Sequence, residues 1–317
     1  MRAVVDQDIT PTDRLVGQLP DAWDVTVGVD GAPDAVEETL AGVDVAFVTS
    51  RIKVTHDVLA AARDLKVVAK LGTGIDNVDL EAAAERGVAV TYTPGHNALS
   101  VAEHTLALLL ATARRLPEMR GIIESGGWRD EATLGTRLSG KTVGVVGFGN
   151  VGKRVGKLLA GFEVDVIVHD PYVPTIDAEF VGGELVGLDD LLRRSDAVVV
   201  NAELTEETRG YLGEHEFSLM KDSAVLVNTA RGPIVEEDAL VDALRDGEVA
   251  GAGLDVYASE PLGKDSPLLE FDNVVVTPHV AAMTEESRAE TIDTLAANVL
   301  AILDGEPVQG RYLATPE

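Results

Sequence analysis

The first hundred residues alternate short Val-rich runs with stretches whose apolar residues recur every three or four positions. This pattern predicts strands over residues 2–5, 23–28, 43–49, 66–71 and 88–93, with amphipathic helices over 35–41, 55–64 and 80–86. Pro94 to Asn97 breaks the alternation. A long helix is predicted from about Val101 to Arg115, with Ser100 as N-cap and Glu103 three residues on. A second alternating series then predicts strands over 142–146, 164–168, 197–201, 224–228, 251–255 and 274–277, and a final helix over 285–303 that stops at Gly305. Strands alternating with helices build parallel sheets covered on both faces, so the fold class is α/β, with doubly wound sheets.

Length and composition narrow this. A chain of 317 residues fits two domains. The longest apolar run, near Leu106 to Ala113, is far short of the ~20 residues of a membrane span, and the first twenty residues carry no secretory pattern. There is no cysteine, which excludes disulfides and thiolate chemistry, and no spacing such as H-E-x-x-H suggests a metal. A cytoplasmic setting is expected. With 54 acidic against 26 basic residues the net charge is −28, which repels nucleic acid and anionic lipid. Such acidity, with only eight lysines against eighteen arginines, points to a halophile, whose concentrated salt mutes the self-repulsion.

The strand predicted at 142–146 runs into Gly147-Phe148-Gly149-Asn150-Val151-Gly152, then a helix, then a strand closing on Asp170, 18 residues past the third glycine. This is a dinucleotide-binding pattern in its required context. Gly147 permits a tight turn, Gly149 lets backbone approach a pyrophosphate, and Gly152 lets helix and strand close up. Asp170 can accept from both ribose hydroxyls, and with no counter-charge at Pro171, Tyr172 or Val173 it favours NAD over NADP. Gly147 to Lys153 also spells the start of a triphosphate loop, but Arg154 stands where Ser or Thr would hold magnesium.

Three polar residues follow later strands. Arg231 can grip a carboxylate and polarise the adjacent carbonyl. His279 can give a proton during reduction and take it back during oxidation. Glu260 is expected to stabilise its imidazolium, raise its pKa and fix its orientation. Each alone could be an ordinary surface or core group. Of the other histidines, His215 reads as solvated surface, His104 as a packing residue in the long helix, and His96 as a loop residue able to approach a substrate.

Together these segments resemble the D-isomer-specific 2-hydroxyacid dehydrogenase family over nearly the whole chain. The matching stretches are Lys70 to Asp79, Asn97 to Thr105, the glycine fingerprint, Asn228 to Gly232, Gly253 to Val256 with Glu260-Pro261, and Pro278-His279. The resemblance implies Arg231, Glu260 and His279 as the catalytic set. Backbone amides near Thr73 and Gly74, with Asn97 and Arg231, would bind substrate, and Thr229, Ala230 and Asp255 would join the cofactor contacts. It also implies two Rossmann-like domains with a cleft between them: residues 1–99 plus 285–317 for substrate and 100–284 for NAD. A homodimer through the cofactor domain and the arm after the long helix is expected.

Hydride exchange between NAD and a small D-2-hydroxy or 2-oxo acid of the glyoxylate, hydroxypyruvate or pyruvate type follows. D-3-phosphoglycerate dehydrogenase is the alternative. Animal-type members of that group carry phosphate-binding arginines where Thr49 and Lys70 stand here, and many have a C-terminal regulatory domain this chain does not show. A formate dehydrogenase would pair its histidine with glutamine rather than Glu260. An NAD-sensing co-repressor or scaffold is the non-enzyme alternative, against which the complete Arg–Glu–His set argues. The sequence departs from the family at Asn201-Ala202-Glu203-Leu204-Thr205, where a His-x-Pro-Leu-Thr run is common, and at Ala281 and Met283.

Overall fold

Short β-branched runs bounded by Gly, Asp and Pro form parallel strands in both halves of the chain. The computed structural model describes residues 1–316, and the chain divides into two units, Met1–Asn97 with Met283–Glu317, and Ala98–Ala282. Among the described residues no helix is long and apolar enough to cross a membrane.

The first unit holds β1 (Arg2–Val5), β2 (Asp24–Val27), β3 (Val45–Val48), β4 (Val67–Lys70) and β5 (Ala89–Thr91) in the parallel order β5-β4-β3-β1-β2. A two-residue strand, Leu313–Ala314, pairs antiparallel on the outer edge of β5. Alternate residues of β3 face opposite cores. Val45 and Phe47 pack with Ile292, Leu295 and Val299 of the last helix, while Ala46 and Val48 pack with Val36, Leu40, Val58 and Leu59. Burial on both faces makes the inner strands β3 and β4 near-continuous apolar runs, whereas the exposed edge strand β2 alternates. Helix starts are set by side-chain caps: Thr55 accepts from the Val58 N–H and Asp79 from the Ala82 N–H. The last helix, Glu285–Asp304, is capped by Thr284 and ends at Gly305 in the left-handed region.

The second unit holds β6 (Thr142–Val146), β7 (Asp165–His169), β8 (Glu184–Leu185), β9 (Ala197–Val200), β10 (Val225–Asn228), β11 (Gly251–Leu254) and β12 (Val274–Val276). Their order is β12-β11-β10-β9-β6-β7-β8, all parallel. Strand order reverses between β6 and β9, which is where doubly wound sheets bind ligands at their carboxyl ends. The long helix begins at Ala98, so Ser100 lies inside its first turn and is not the N-cap. The turn over Pro94 to Asn97 already delivers the chain into the helix three residues earlier than Val101. The strands Glu184–Leu185 and Leu313–Ala314 are too short to leave a periodic signal and went unpredicted.

Candidate active site

The glycine fingerprint leaves β6 as a turn and enters the helix Asn150–Leu159. Gly147 has φ +86, and a Cβ there would lie 2.4 Å from the backbone of Ala202. A Cβ on Gly152 would lie 2.2 Å from the Gly147 carbonyl oxygen, so the helix can seat on the turn only without a side chain. Gly149 differs. A Cβ there would meet nothing within 4 Å, and it leaves the helix N-terminus without a side-chain cap. Protein packing explains two of the glycines; the third keeps space clear at amides that can receive an anion. Phe148 is fully buried by its side chain and offers only backbone, and its N–H donates to Asp170 Oδ2 at 2.7 Å. The Tyr172 N–H donates to Asp170 Oδ1 at 2.9 Å. Both oxygens are thus fixed in place, each with a lone pair left to accept from a hydroxyl. The Tyr172 hydroxyl donates to Glu207, and that hydrogen bond, then the charges of Glu207 and Asp170, raise the phenol pKa. The flank of Asp170 is anionic and unsuited to a second phosphate. These residues fit NAD.

Arg231, Glu260 and His279 come from the carboxyl-end loops after β10, β11 and β12. Asn228 staples the first loop: its Nδ2 donates to the Arg231 carbonyl at 3.0 Å and its Oδ1 accepts from the Ala230 N–H at 3.0 Å. The Arg231 Nη1 donates to the Ala230 carbonyl at 2.8 Å. Gly232 allows this loop to lie directly on the next, since a Cβ there would sit 1.8 Å from the Tyr257 carbonyl oxygen. His279 Nδ1 lies 2.7 Å from Glu260 Oε2, each side chain 36% exposed. Burial pushes the Glu260 carboxyl up. The His279 hydrogen bond and charge, the Tyr257 N–H and the Arg231 charge outweigh it and hold the carboxyl below its ordinary range. An ionised Glu260 only accepts, so His279 carries a proton on Nδ1 and leaves Nε2 to exchange one.

His279 has φ +54, a left-handed conformation that costs a non-glycine residue ~1–2 kcal/mol. Asp255 holds the turn. Its carboxylate, fully buried, accepts from the Val280 and Ala281 N–H groups at 2.9 Å each and from the Thr277 hydroxyl at 2.5 Å. The sequence groups Asp255 with the cofactor contacts; in the structure its oxygens are taken up beneath the His279 turn. Tyr257 adds a hydrogen bond to the Thr277 carbonyl at 2.9 Å. Burial first, then the Asp255 charge, push the Tyr257 phenol up to about 12, so it stays a donor. His104, read from sequence as packing, reaches this cluster with Nε2 3.0 Å from Thr277 Oγ1. Thr229, buried, meets Thr105 through their hydroxyls at 2.7 Å.

The first unit brings Thr73 and Asn97 together: the Thr73 hydroxyl donates to Asn97 Oδ1 at 2.9 Å, and the Gly95 N–H donates to Thr73 Oγ1 at 3.3 Å. The buried Thr93 clamps the start of this loop, exchanging hydrogen bonds with Gly72. His96 is engaged by the Tyr312 hydroxyl at 3.2 Å. Among the described residues no group of three or more His, Cys, Asp or Glu is placed to hold a metal ion.

Comparison with known proteins identifies the chain's family. Residues 106–281 match the model of the D-isomer specific 2-hydroxyacid dehydrogenase, NAD binding domain, family. The chain is 43% identical over 262 residues to D-3-phosphoglycerate dehydrogenase of Archaeoglobus fulgidus, covering 83% of this chain and 50% of that one. It is 42% identical over 260 residues to glyoxylate reductase of Thermofilum pendens, covering 80% of this chain and 76% of that one. The structure of D-lactate dehydrogenase from Aquifex aeolicus, complexed with NAD and lactic acid, superposes with a TM-score of 0.84 at 28% identity over 96% of each chain. The chain spans about half the length of the phosphoglycerate dehydrogenases it matches.

Proposed function

Because the chain belongs to the D-isomer specific 2-hydroxyacid dehydrogenase family, we propose that it exchanges hydride between NAD and C2 of a small D-2-hydroxy or 2-oxo acid. The observation that carries this reading is the 2.7 Å His279–Glu260 pair on the sheet that bears the glycine fingerprint. The Gly147–Gly152 turn and Asp170 would hold NAD, which when bound would supply or take the hydride. The chain's own residues do the rest. Arg231 grips the acid's carboxylate and draws electron density from the carbonyl oxygen. His279 Nε2 gives its proton to that oxygen during reduction and takes the hydroxyl proton during oxidation. Glu260, ionised, holds the ring and compensates the imidazolium. Thr73, Gly74 and Asn97 are assigned to the acid's carboxylate, and Thr229 and Ala230 to the cofactor.

A glyoxylate, hydroxypyruvate or pyruvate type of acid is supported by the state of the first unit's cations. The Thr49 hydroxyl donates to buried Asp6, the Arg51 guanidinium is taken up by Asp6, Asp8 and the Val29 carbonyl, and Lys70 is 2% exposed. Thr49 is neutral, Lys70 is buried, and Arg51, 31% exposed, is already neutralised by two carboxylates, so the set is poorly suited to a phosphate. The likeness to phosphoglycerate dehydrogenases keeps 3-phosphoglycerate as the second reading. Oxidation of NADH and NADPH, followed with these oxo acids in dilute and molar KCl, tests both together with 3-phosphoglycerate oxidation. Turnover of an unphosphorylated oxo acid with NADH is expected, and stability that rises with KCl, as the −28 charge requires of a salt-adapted cytoplasmic enzyme. Inactivity towards all of them sinks the dehydrogenase reading, and equal stability in dilute buffer sinks the salt adaptation.

A homodimer through the second unit is supported by its arm. The helix Leu116–Glu124 has no buried residue, and Leu116, Ile123, Trp128 and Leu134 are exposed, Leu134 to 94%. Glu118 ties the arm by accepting from the Thr133 N–H at 3.0 Å and from Arg115. Hydrogen bonding from Thr133, then from Arg115, lowers its pKa from 4.5 to about 2. A depressed carboxylate stabilises fully above pH 4.5 and loses that contribution as pH falls towards 2. Trp128 emission should therefore shift in that window, and Glu118→Gln should bring the shift to neutral pH. Leu134→Glu with Ile123→Glu should give a folded monomer by light scattering; a dimer that persists would place the interface elsewhere.

A further inference from the structure

The turn that aims His279 is locked from below by a residue outside the Arg–Glu–His set. Asp255 is an acceptor only: burial raises its pKa, but hydrogen bonds from His104, Thr277, Val280 and Ala281 more than offset that and keep it ionised. The Thr277 hydroxyl has one proton, which it donates to Asp255 Oδ1 at 2.5 Å. Its remaining capacity is as an acceptor, so His104 Nε2, 3.0 Å away, must be the donor. The same nitrogen lies 3.5 Å from Asp255 Oδ1, with the His104 side chain 22% exposed and Asp255 at 0%. The order of donors runs His104 to Thr277 to Asp255, and Asp255 in turn receives the two N–H groups that follow His279. The backbone of His279 closes the loop, its N–H donating to the Asp255 carbonyl at 2.9 Å and the Thr277 carbonyl at 3.0 Å.

We infer that His104 is a positioning residue of the reaction, acting through Thr277 and Asp255 to hold the left-handed turn that points His279 at its proton acceptor. The inference rests on His279 being the acid and base proposed above. A left-handed histidine relaxes to ordinary backbone angles unless its surroundings prevent it. Without the His104 donor, the Thr277 hydroxyl is released from one side and the carboxylate loses part of the field that keeps it charged. His104 rides on the helix Ala98–Ala113, which lies against β10 and β11, so the donor is fixed by packing rather than by a mobile loop. Small misplacements of a reacting group carry large rate effects, because reacting atoms must lie within a few tenths of an ångström of the productive geometry.

The test compares His104→Ala, His104→Gln and Thr277→Val with the wild-type holoenzyme, with kcat counted per NADH-binding site. His104→Ala and Thr277→Val should lower kcat by up to about a hundredfold while leaving the oxo-acid KM and NADH affinity nearly unchanged. The solvent isotope effect on kcat should rise, since proton delivery by a misaimed His279 becomes slower. Glutamine, whose amide can donate to Thr277, should restore most of the rate. In proton NMR spectra of the wild type the His279 Nδ1–H bonded to Glu260 should give a downfield resonance, shifted or lost in His104→Ala. Wild-type kcat and an unmoved resonance in both His104→Ala and Thr277→Val would overturn the inference with the dehydrogenase reading intact. So would a glutamine variant no better than alanine, with the losses following melting temperature. A wild type with no oxo-acid turnover would instead overturn the reading itself, and the resonance would still judge the role of His104.

Discussion

Replacing His279 with alanine should cost about two to four orders of magnitude in kcat, the usual contribution of a placed general acid or base. NADH binding should survive. The ring is anchored at Nδ1 by Glu260 at 2.7 Å, whereas the fingerprint turn and Asp170 are built from β6, β7 and the helix between them. Removing the ring deletes the proton donor without touching that turn. NADH titration monitored by fluorescence, alongside steady-state rates, separates the two. A variant that no longer binds NADH would assign His279 to the cofactor instead, and one with wild-type kcat would remove it from the chemistry.

Arg231→Ala is expected to lower kcat/KM for the oxo acid by on the order of a hundred- to a thousandfold, since truncating one partner of a desolvated charge pair costs about 2–5 kcal/mol. Both parameters should move, because the guanidinium holds the carboxylate in the ground state and polarises the carbonyl as charge develops on it. Arg231→Lys should recover little. The backbone around Arg231 is fixed by Asn228 and by the close seat of Gly232 on Tyr257, so a single ammonium cannot replace a planar fork set at that place. Kinetics across oxo acids of increasing length test this. Equal effects on NADH affinity and oxo-acid affinity would argue against a substrate role.

How much of this was readable beforehand depends on how local the cause is. The inner Val-rich strands declared themselves because both of their faces are covered, and helix starts such as Thr55 and Asp79 carry their own caps. The glycine fingerprint was legible because its strand, turn and helix are contiguous. Pairings across the chain left no such mark. His104 and Thr277 are 173 residues apart, and nothing near His104 distinguishes it from a packing residue. The same holds for His96, claimed by Tyr312 from 216 residues away. Asp255 follows its strand like any loop acid, and only its complete burial under the His279 turn reveals which groups it serves. The left-handed backbone of His279 is likewise invisible, since Pro278 and Val280 on either side suggest extended chain. Strands of two residues fall below any periodic signal.

The first sheet owes one of its two cores to the last helix, whose Ile292, Leu295, Ala296 and Val299 pack with Ala3, Val5, Val45 and Phe47. The ribosome therefore releases β1 to β5 long before the helix that covers one side of them. The second unit, contiguous from Ala98 to Ala282, can complete its own core while that side still waits. During synthesis the earliest part of the chain is then the last to be finished, and through that interval a Val-rich sheet face depends on chaperones or on loose chain for cover.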